Sequence, residues 1–207
     1  MRPLAKLIGL AMAAYVRLVA ATCRPAGDPP TQDQVVLAFW HEYNLVAAVA
    51  AWRLRRQHRH VSFSTQTFRG EIMDTMLGAL GTGSVPLPPE GQRAEATRLS
   101  RGLARLGREG ASLAVSPDGP QGPYRRAKPG ALIVAREAGL PLQAWALSAR
   151  PSFRLSGRWD RHVVPLPFCR LRVHEAPPIR VDERQRLRPL LDSLQIALDE
   201  AASRADA

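Results

Sequence analysis

The sequence predicts a single-domain α/β fold, with a mixed or mostly parallel sheet flanked by helices and an apolar helix at the N-terminus. Three observations predict it. Short, continuous apolar runs at residues 35–40 (VVLAFW), 112–116 (SLAVS) and 142–148 (LQAWALS) suit strands buried on both faces. Helix-length segments separate those runs, so strands and helices alternate. The 207 residues, 45% of them hydrophobic, supply one sizeable core more naturally than two.

The elements follow in order. Residues 4–22 are apolar, with Arg2, Lys6 and Arg17 flanking or interrupting them. Leu4, Leu7, Ile8, Ala11, Tyr15 and Leu18 share one helical face. A full membrane span needs roughly 20 apolar residues, and Arg17 breaks this run. The expectation is an interfacial or shallowly inserted anchor, ahead of a true span, an uncleaved signal or an ordinary core helix. Residues 1–24 are therefore set apart from an α/β domain over 25–207. Residues 24–34 read as a linker. Residues 43–56 read as a helix with a basic end at Arg53, Arg55 and Arg56. A short strand is expected at 61–64, a helix at 71–80 closed by Gly81, and irregular chain at 83–89. An amphipathic helix spans 93–108, with Leu99, Leu103 and Leu106 inward and Arg93, Arg101, Arg105 and Arg108 toward water. Residues 117–130 form a Pro/Gly loop, and 131–138 a helix punctuated by Gly139 and Pro141. Residues 161–173 supply one or two strands. A closing helix covers 183–202, where Pro189 must kink or restart it.

The net charge is +11, and Lys6 and Lys128 are the only lysines. This balance favours polyanionic partners such as an anionic membrane surface, although arginines on solvated faces give the same count. Nucleic acid is not expected, because aromatics are only 6% and scattered. Cys23 and Cys169 make no metal or disulfide framework, and a reduced compartment fits best.

Two features carry chemistry. His41 follows a buried strand and opens a helix, where a histidine either serves as a general base or caps the strand end. The segment SPDGPQG, residues 116–122, is either an anion-binding turn built on glycine backbone or a plain surface turn. Asp118 would orient a donor or fix the loop. Arg125, Arg126 and Lys128 follow it and suit a phosphate or a thioester carrier. His58 and His60 sit at strand spacing, but nothing nearby completes a metal site, so no metal or resident cofactor is expected. There is no Gly-x-Ser-x-Gly elbow and no phosphate loop.

Taken together, four pieces resemble the lysophospholipid acyltransferase superfamily, in particular its bacterial branch of uncharacterised domains. They are an apolar helix ending in Thr22-Cys23-Arg24, then Phe39-Trp40-His41, then SPDGPQGP followed by Lys128-Pro129-Gly130, and Gly139-Leu140-Pro141 leading into an apolar strand. The likeness runs from about Leu4 to Ile179. It implies an acyltransferase-like domain that moves an acyl group from acyl-CoA or acyl carrier protein to a hydroxyl of a lysophospholipid or glycolipid. It also implies a site on the cytoplasmic face of the bacterial inner membrane. His41 would be the base, with Asp118 beside it in the catalytic set. Ser116, Gly119, Pro120, Gln121, Gly122, Arg125 and Lys128 would bind substrate, with the Gly119 N–H and Lys128 as electrostatic helpers. Two departures stand out. The family's His-x-x-x-x-Asp aspartate is replaced by Val46, and a second acidic position carries Arg69. The arginine-containing block expected after the third strand is also weak, reading Gly83-Ser84-Val85-Pro86. Glu42, Glu71 and Asp118 are the candidate replacements for the orienting carboxylate. The alternative is an inactive relative that binds lipid or glycolipid.

Overall fold

The computed structural model describes residues 2–206 except 28, 32, 55–58, 88–92 and 183, and leaves the side chains of 93–97 and 206 aside. The expectations placed on Arg55, Arg56, His58, the Arg93 side chain and Glu183 lie outside the described residues.

A seven-stranded sheet organises the chain in the order β1-β7-β6-β2-β5-β3-β4. Its strands are β1 (Arg24–Ala26), β2 (Val36–Ala38), β3 (His60–Ser64), β4 (Gly83–Pro86), β5 (Ser112–Val115), β6 (Leu142–Arg154) and β7 (Val163–Glu175). All pairings are parallel except β6 with β7. The helices are α1 (Pro3–Thr22), α2 (Asn44–Leu54), α3 (Phe68–Ala79), α4 (Arg93–Arg108), α5 (Gly130–Ala138) and α6 (Leu187–Asp206). The mixed α/β class, the helical flanks and the apolar first helix all stand as expected. β2 is buried throughout and sits in mid-sheet, which is why it reads as an unbroken apolar run.

The differences have local causes. β4 forms where irregular chain was expected, and β1 forms inside the expected linker. Both are edge strands, where Pro86 and Pro25 leave no ladder bond unmade in mid-sheet, so proline is a poor guide there. The third helix begins three residues early because the Thr67 hydroxyl caps it, accepting from the Gly70 N–H at 3.2 Å. β6 and β7 run to 13 residues each and form one long hairpin. The second half of β6 loses its apolar signal because it is mostly exposed beyond Ala149. Pro189 neither kinks nor restarts the last helix. It falls in the first turn, where its missing N–H has no intrahelical partner to lose.

α1 packs against α3, α2 and β7 with its small residues. Ala5, Gly9, Ala13, Val16, Val19 and Ala20 are buried. Gly9 is obligatory at the crossing, since a Cβ there would lie 2.5 Å from Thr75 Cβ. The leucines point the other way: Leu4 and Leu7 are 59% and 67% exposed, and Leu10 and Leu18 are exposed too. Tyr15 is half-buried and donates its hydroxyl to Pro165 O at 2.7 Å. By length and composition α1 is the one described helix able to cross a membrane.

From β2 the chain turns one way, toward β3 and β4, and from β5 it returns past β2 to β6. The carboxyl ends of β2 and β5 therefore lie side by side at a switch in strand order, the usual place for a ligand in an open α/β sheet.

Candidate active site

His41 is presented by a single 3-10 turn, His41–Tyr43, between β2 and α2. The Phe39 N–H still donates to Val115 O at 3.2 Å, so His41 leaves the sheet beside the end of β5. The loop after β5 meets it there. Asp118 is fully buried, and its Oδ1 accepts the His41 backbone N–H at 2.9 Å while Oδ2 accepts the Arg125 N–H at 3.2 Å. Burial pushes the Asp118 carboxyl above its ordinary range, against the pull of those N–H groups. Asp118 thus fixes the loop onto the turn that carries His41, and does not reach the imidazole ring.

The ring carboxylate comes from a place the sequence reading missed. Asp160, in the turn between β6 and β7, lies with Oδ2 2.9 Å from His41 Nδ1. Asp160 is fully buried, and Arg158 grips it with both arms, Nε to Oδ1 and a terminal nitrogen to Oδ2, each at 2.9 Å. Burial alone would raise this carboxyl, but the Arg158 fork, with His41 and His162, brings it down to about 2. It is therefore ionised at neutral pH, and an ionised carboxylate only accepts. It holds the imidazole proton on Nδ1 and leaves the Nε2 lone pair free. Trp159 leans on the other side of the ring, centroids 5.1 Å apart and tilted 44°. A signal was present in the sequence: Gly157-Arg158-Trp159-Asp160-Arg161-His162 concentrates charge and aromatic character in one inter-strand turn.

The other proposed partners are placed elsewhere. Glu42 is buried, but its side chain turns to Arg125, Arg154 and Tyr124, not to the imidazole. The Arg125 Nε–Glu42 Oε1 contact is 2.5 Å, and Tyr124 donates its hydroxyl to Oε2 at 3.0 Å. Glu71 lies on α3 and accepts the Arg2 N–H at 2.9 Å. Neither orients His41, and Val46, the fifth residue after His41, is fully buried in the core.

The substrate-binding set is partly brought together. Ser116, Gly119, Pro120 and Lys128 line one pocket with His41, whereas Gln121 is exposed, and Gly122 and Arg125 support the loop. Gly119 has no room for a side chain, because a Cβ would sit 2.7 Å from His41 Cδ2. Gly122 has φ +77°, and a Cβ there would meet Trp159 at 2.8 Å. The expectation that the Gly119 N–H assists an anion is corrected: it donates to Ser116 O at 3.0 Å, and the Gly122 N–H donates to Asp118 O at 3.0 Å. These donors hold the turn together and are not aimed at a ligand.

The pocket has a volume of about 410 Å³, within the usual range for small-molecule sites. Its walls are mostly apolar, with Phe39, Ala51, Trp52, Met76, Leu77 and Val134 among them, and Ser62, Thr65 and Thr82 add hydroxyls. A candidate base thus borders a largely apolar pocket. His60, from the expected histidine pair, is buried on the same wall.

Potential ligand atoms of His41, Asp160 and His162 lie within 4.8 Å of one another. They do not suit a metal. Both oxygens of Asp160 are already held by the Arg158 guanidinium, which a second cation would have to displace. Burial holds the His162 imidazole below its ordinary pKa, with Asp160 opposing; that shift by itself favours the metal-binding form, and it is the Arg158 fork that weighs against a metal.

Fold and site define an α/β protein with a pocket at the carboxyl ends of its central strands, lined by a histidine whose ring is held by a buried carboxylate from the β6–β7 turn. No family model matches the chain. It is similar to an uncharacterised protein of Rickettsia prowazekii (strain Madrid E), 27% identical over 153 residues, covering 72% of this chain and 65% of that protein. The chain thus spans just under two thirds of that relative's length.

Proposed function

We propose that the protein is a membrane-associated O-acyltransferase. It would move an acyl group from acyl-CoA or acyl carrier protein to a hydroxyl of a lysophospholipid or glycolipid, at the cytoplasmic face of the bacterial inner membrane. The observation that carries this reading is the His41 Nδ1–Asp160 contact of 2.9 Å on the wall of a largely apolar pocket. His41 Nε2 takes the acceptor hydroxyl proton as the oxygen attacks the thioester carbonyl. The tetrahedral intermediate then collapses, the C–S bond breaks, and the leaving thiolate takes the proton back from the imidazolium. Asp160 keeps the working tautomer and stabilises the transient cation. The apolar walls suit the acyl chain.

The exposed leucines of α1 support an in-plane attachment. Leu4, Leu7 and Leu18 face outward while the opposite face is packed on α3, and Lys6 lies exposed beside the stripe; Arg17 turns its guanidinium back to the Ala79 carbonyl at the end of α3. This is the pattern of a helix lying in a head-group layer.

The test is release of free thiol from acyl-CoA in the presence of lysolipid, with product confirmed by mass spectrometry. His41→Ala should abolish transfer while leaving the melting temperature close to wild type. Unchanged turnover in that variant rules the mechanism out. Lysolipid binding by wild type with no turnover would favour the inactive relative.

A further inference from the structure

Acyl transfer places negative charge on the thioester carbonyl oxygen, and that charge needs donors already in position. At the positions facing the pocket, the backbone of the loop after β5 is poor in them. Pro117 and Pro120 have no N–H. The Gly119 N–H donates to Ser116 O and the Lys128 N–H to Pro117 O, both at 3.0 Å. The His41 N–H is held by Asp118 at 2.9 Å.

Asn44 differs from all of these. It opens α2, three positions beyond His41, and lines the same pocket as His41 and Ser116. The Ser116 hydroxyl donates to Asn44 Oδ1 at 2.7 Å. That bond sets the amide: its oxygen faces Ser116, so its two N–H donors face away from it. Among the described residues no acceptor is paired with Asn44 Nδ2. A half-buried amide with its acceptor end pinned and its donor end unpaired, one turn beyond the base, is suited to an oxyanion.

We propose that Asn44 is a catalytic residue whose Nδ2–H donates to the thioester carbonyl oxygen as it becomes an oxyanion, and that Ser116 is a positioning residue that fixes the amide. The proposal rests on the acyl-transfer reading of His41. It adds no reactant to that chemistry; the donated hydrogen bond strengthens as the C–O bond lengthens and relaxes when the C–S bond breaks.

The experiment compares wild type with His41→Ala, Asn44→Ala, Asn44→Asp and Ser116→Ala. It measures kcat for acyl-CoA and lysolipid, and binding of a non-transferable thioether analogue of acyl-CoA by calorimetry. Asn44→Ala should lower kcat about 100-fold while leaving analogue affinity within a small factor of wild type. Asn44→Asp keeps the bond from Ser116 but places a carboxylate against the oxyanion, so it should be the slower of the two. Ser116→Ala should cost less than either, because the amide loses its orientation but not its donors. If Asn44 only holds the fold, Asn44→Asp is the milder change, and an Asn44→Asp protein at least as active as Asn44→Ala overturns the proposal. Activity that survives Asn44→Ala but not His41→Ala overturns this proposal alone. Folded wild type that never transfers acyl groups overturns both readings.

Discussion

Asp160→Asn removes one charge and changes almost no volume, so it isolates what the carboxylate does for His41. When His41 takes a proton it becomes a cation 2.9 Å from Asp160 Oδ2. At an effective dielectric of about 20, unit charges that close attract by roughly 6 kcal/mol. Arg158 sits on the same carboxylate and offsets part of that attraction. We therefore expect a loss of about 4 kcal/mol in transition-state stabilisation, or roughly three powers of ten in kcat/KM. The amide adds a second problem. Whichever way it is turned, an amide N–H faces one of the Arg158 N–H groups that now reach Oδ1 and Oδ2, so the fork must move. Arg158 is 39% exposed and can turn to water, which keeps the fold intact. The assay is steady-state thiol release over a range of acceptor concentrations, with melting temperature and near-ultraviolet dichroism as folding controls. A folded Asp160→Asn protein that keeps more than a tenth of wild-type kcat/KM, while His41→Ala is inactive, would refute the dyad.

Three further outcomes follow from the same geometry. Gly119→Ala sets a Cβ 2.7 Å from His41 Cδ2 and pushes the ring off its position, so kcat should fall about 100-fold with binding of a thioether analogue little changed. Ala51→Phe narrows the apolar pocket; excluding two methylenes at roughly 0.8 kcal/mol each should cost long-chain donors about tenfold in kcat/KM relative to short-chain ones. Asp160 has its folded pKa lowered from 3.8 to about 2, so its contribution to stability is present above the ordinary value and lost as pH falls through the folded one. The difference in unfolding free energy between wild type and Asp160→Asn, measured by urea titration, should therefore shrink between about pH 4 and pH 2.

The sheet's centre was legible because β2 and the first half of β6 are buried on both sides and β5 is buried or half-buried along its length, and burial writes itself as unbroken apolar runs. Its edges were not, because β1 and β4 are short and proline-bearing and draw their order from a neighbour's backbone. The site divided in the same way. His41 and the loop at 116–122 each directly follow a central strand, so position along the chain gave them away. Asp160 does not. It is 119 residues from His41, and only the antiparallel return of β7 beside β6 brings the turn between them over the imidazole. Asn44 was passed over for another reason: its value lies in which end of its amide Ser116 holds, and no spacing rule encodes that.

That Val46 does not carry the carboxylate for His41 has a structural explanation. His41 stands on a 3-10 turn, and α2 begins only at Asn44, so the fifth residue after His41 lies within α2 and points into the core. Val46 is fully buried there among apolar neighbours, and a carboxylate in its place would be desolvated in the hydrophobic core. Asp160 sits in the opposite circumstance. It is just as buried, but Arg158, two residues earlier in the same turn, carries the compensating charge. A carboxylate and its cation delivered by one short turn can enter a buried site together, whereas a lone aspartate on α2 could not. The function of orienting His41 therefore passes to the hairpin, and the activity predicted for His41 depends on Arg158 as well as on Asp160. Arg158→Met would leave Asp160 buried beside His41 without its fork, raise its pKa, and move the acid side of the activity profile upward. A folded Arg158→Met protein whose Asp160 carboxyl, followed by NMR, titrates as it does in wild type would show that the fork is not what keeps Asp160 charged.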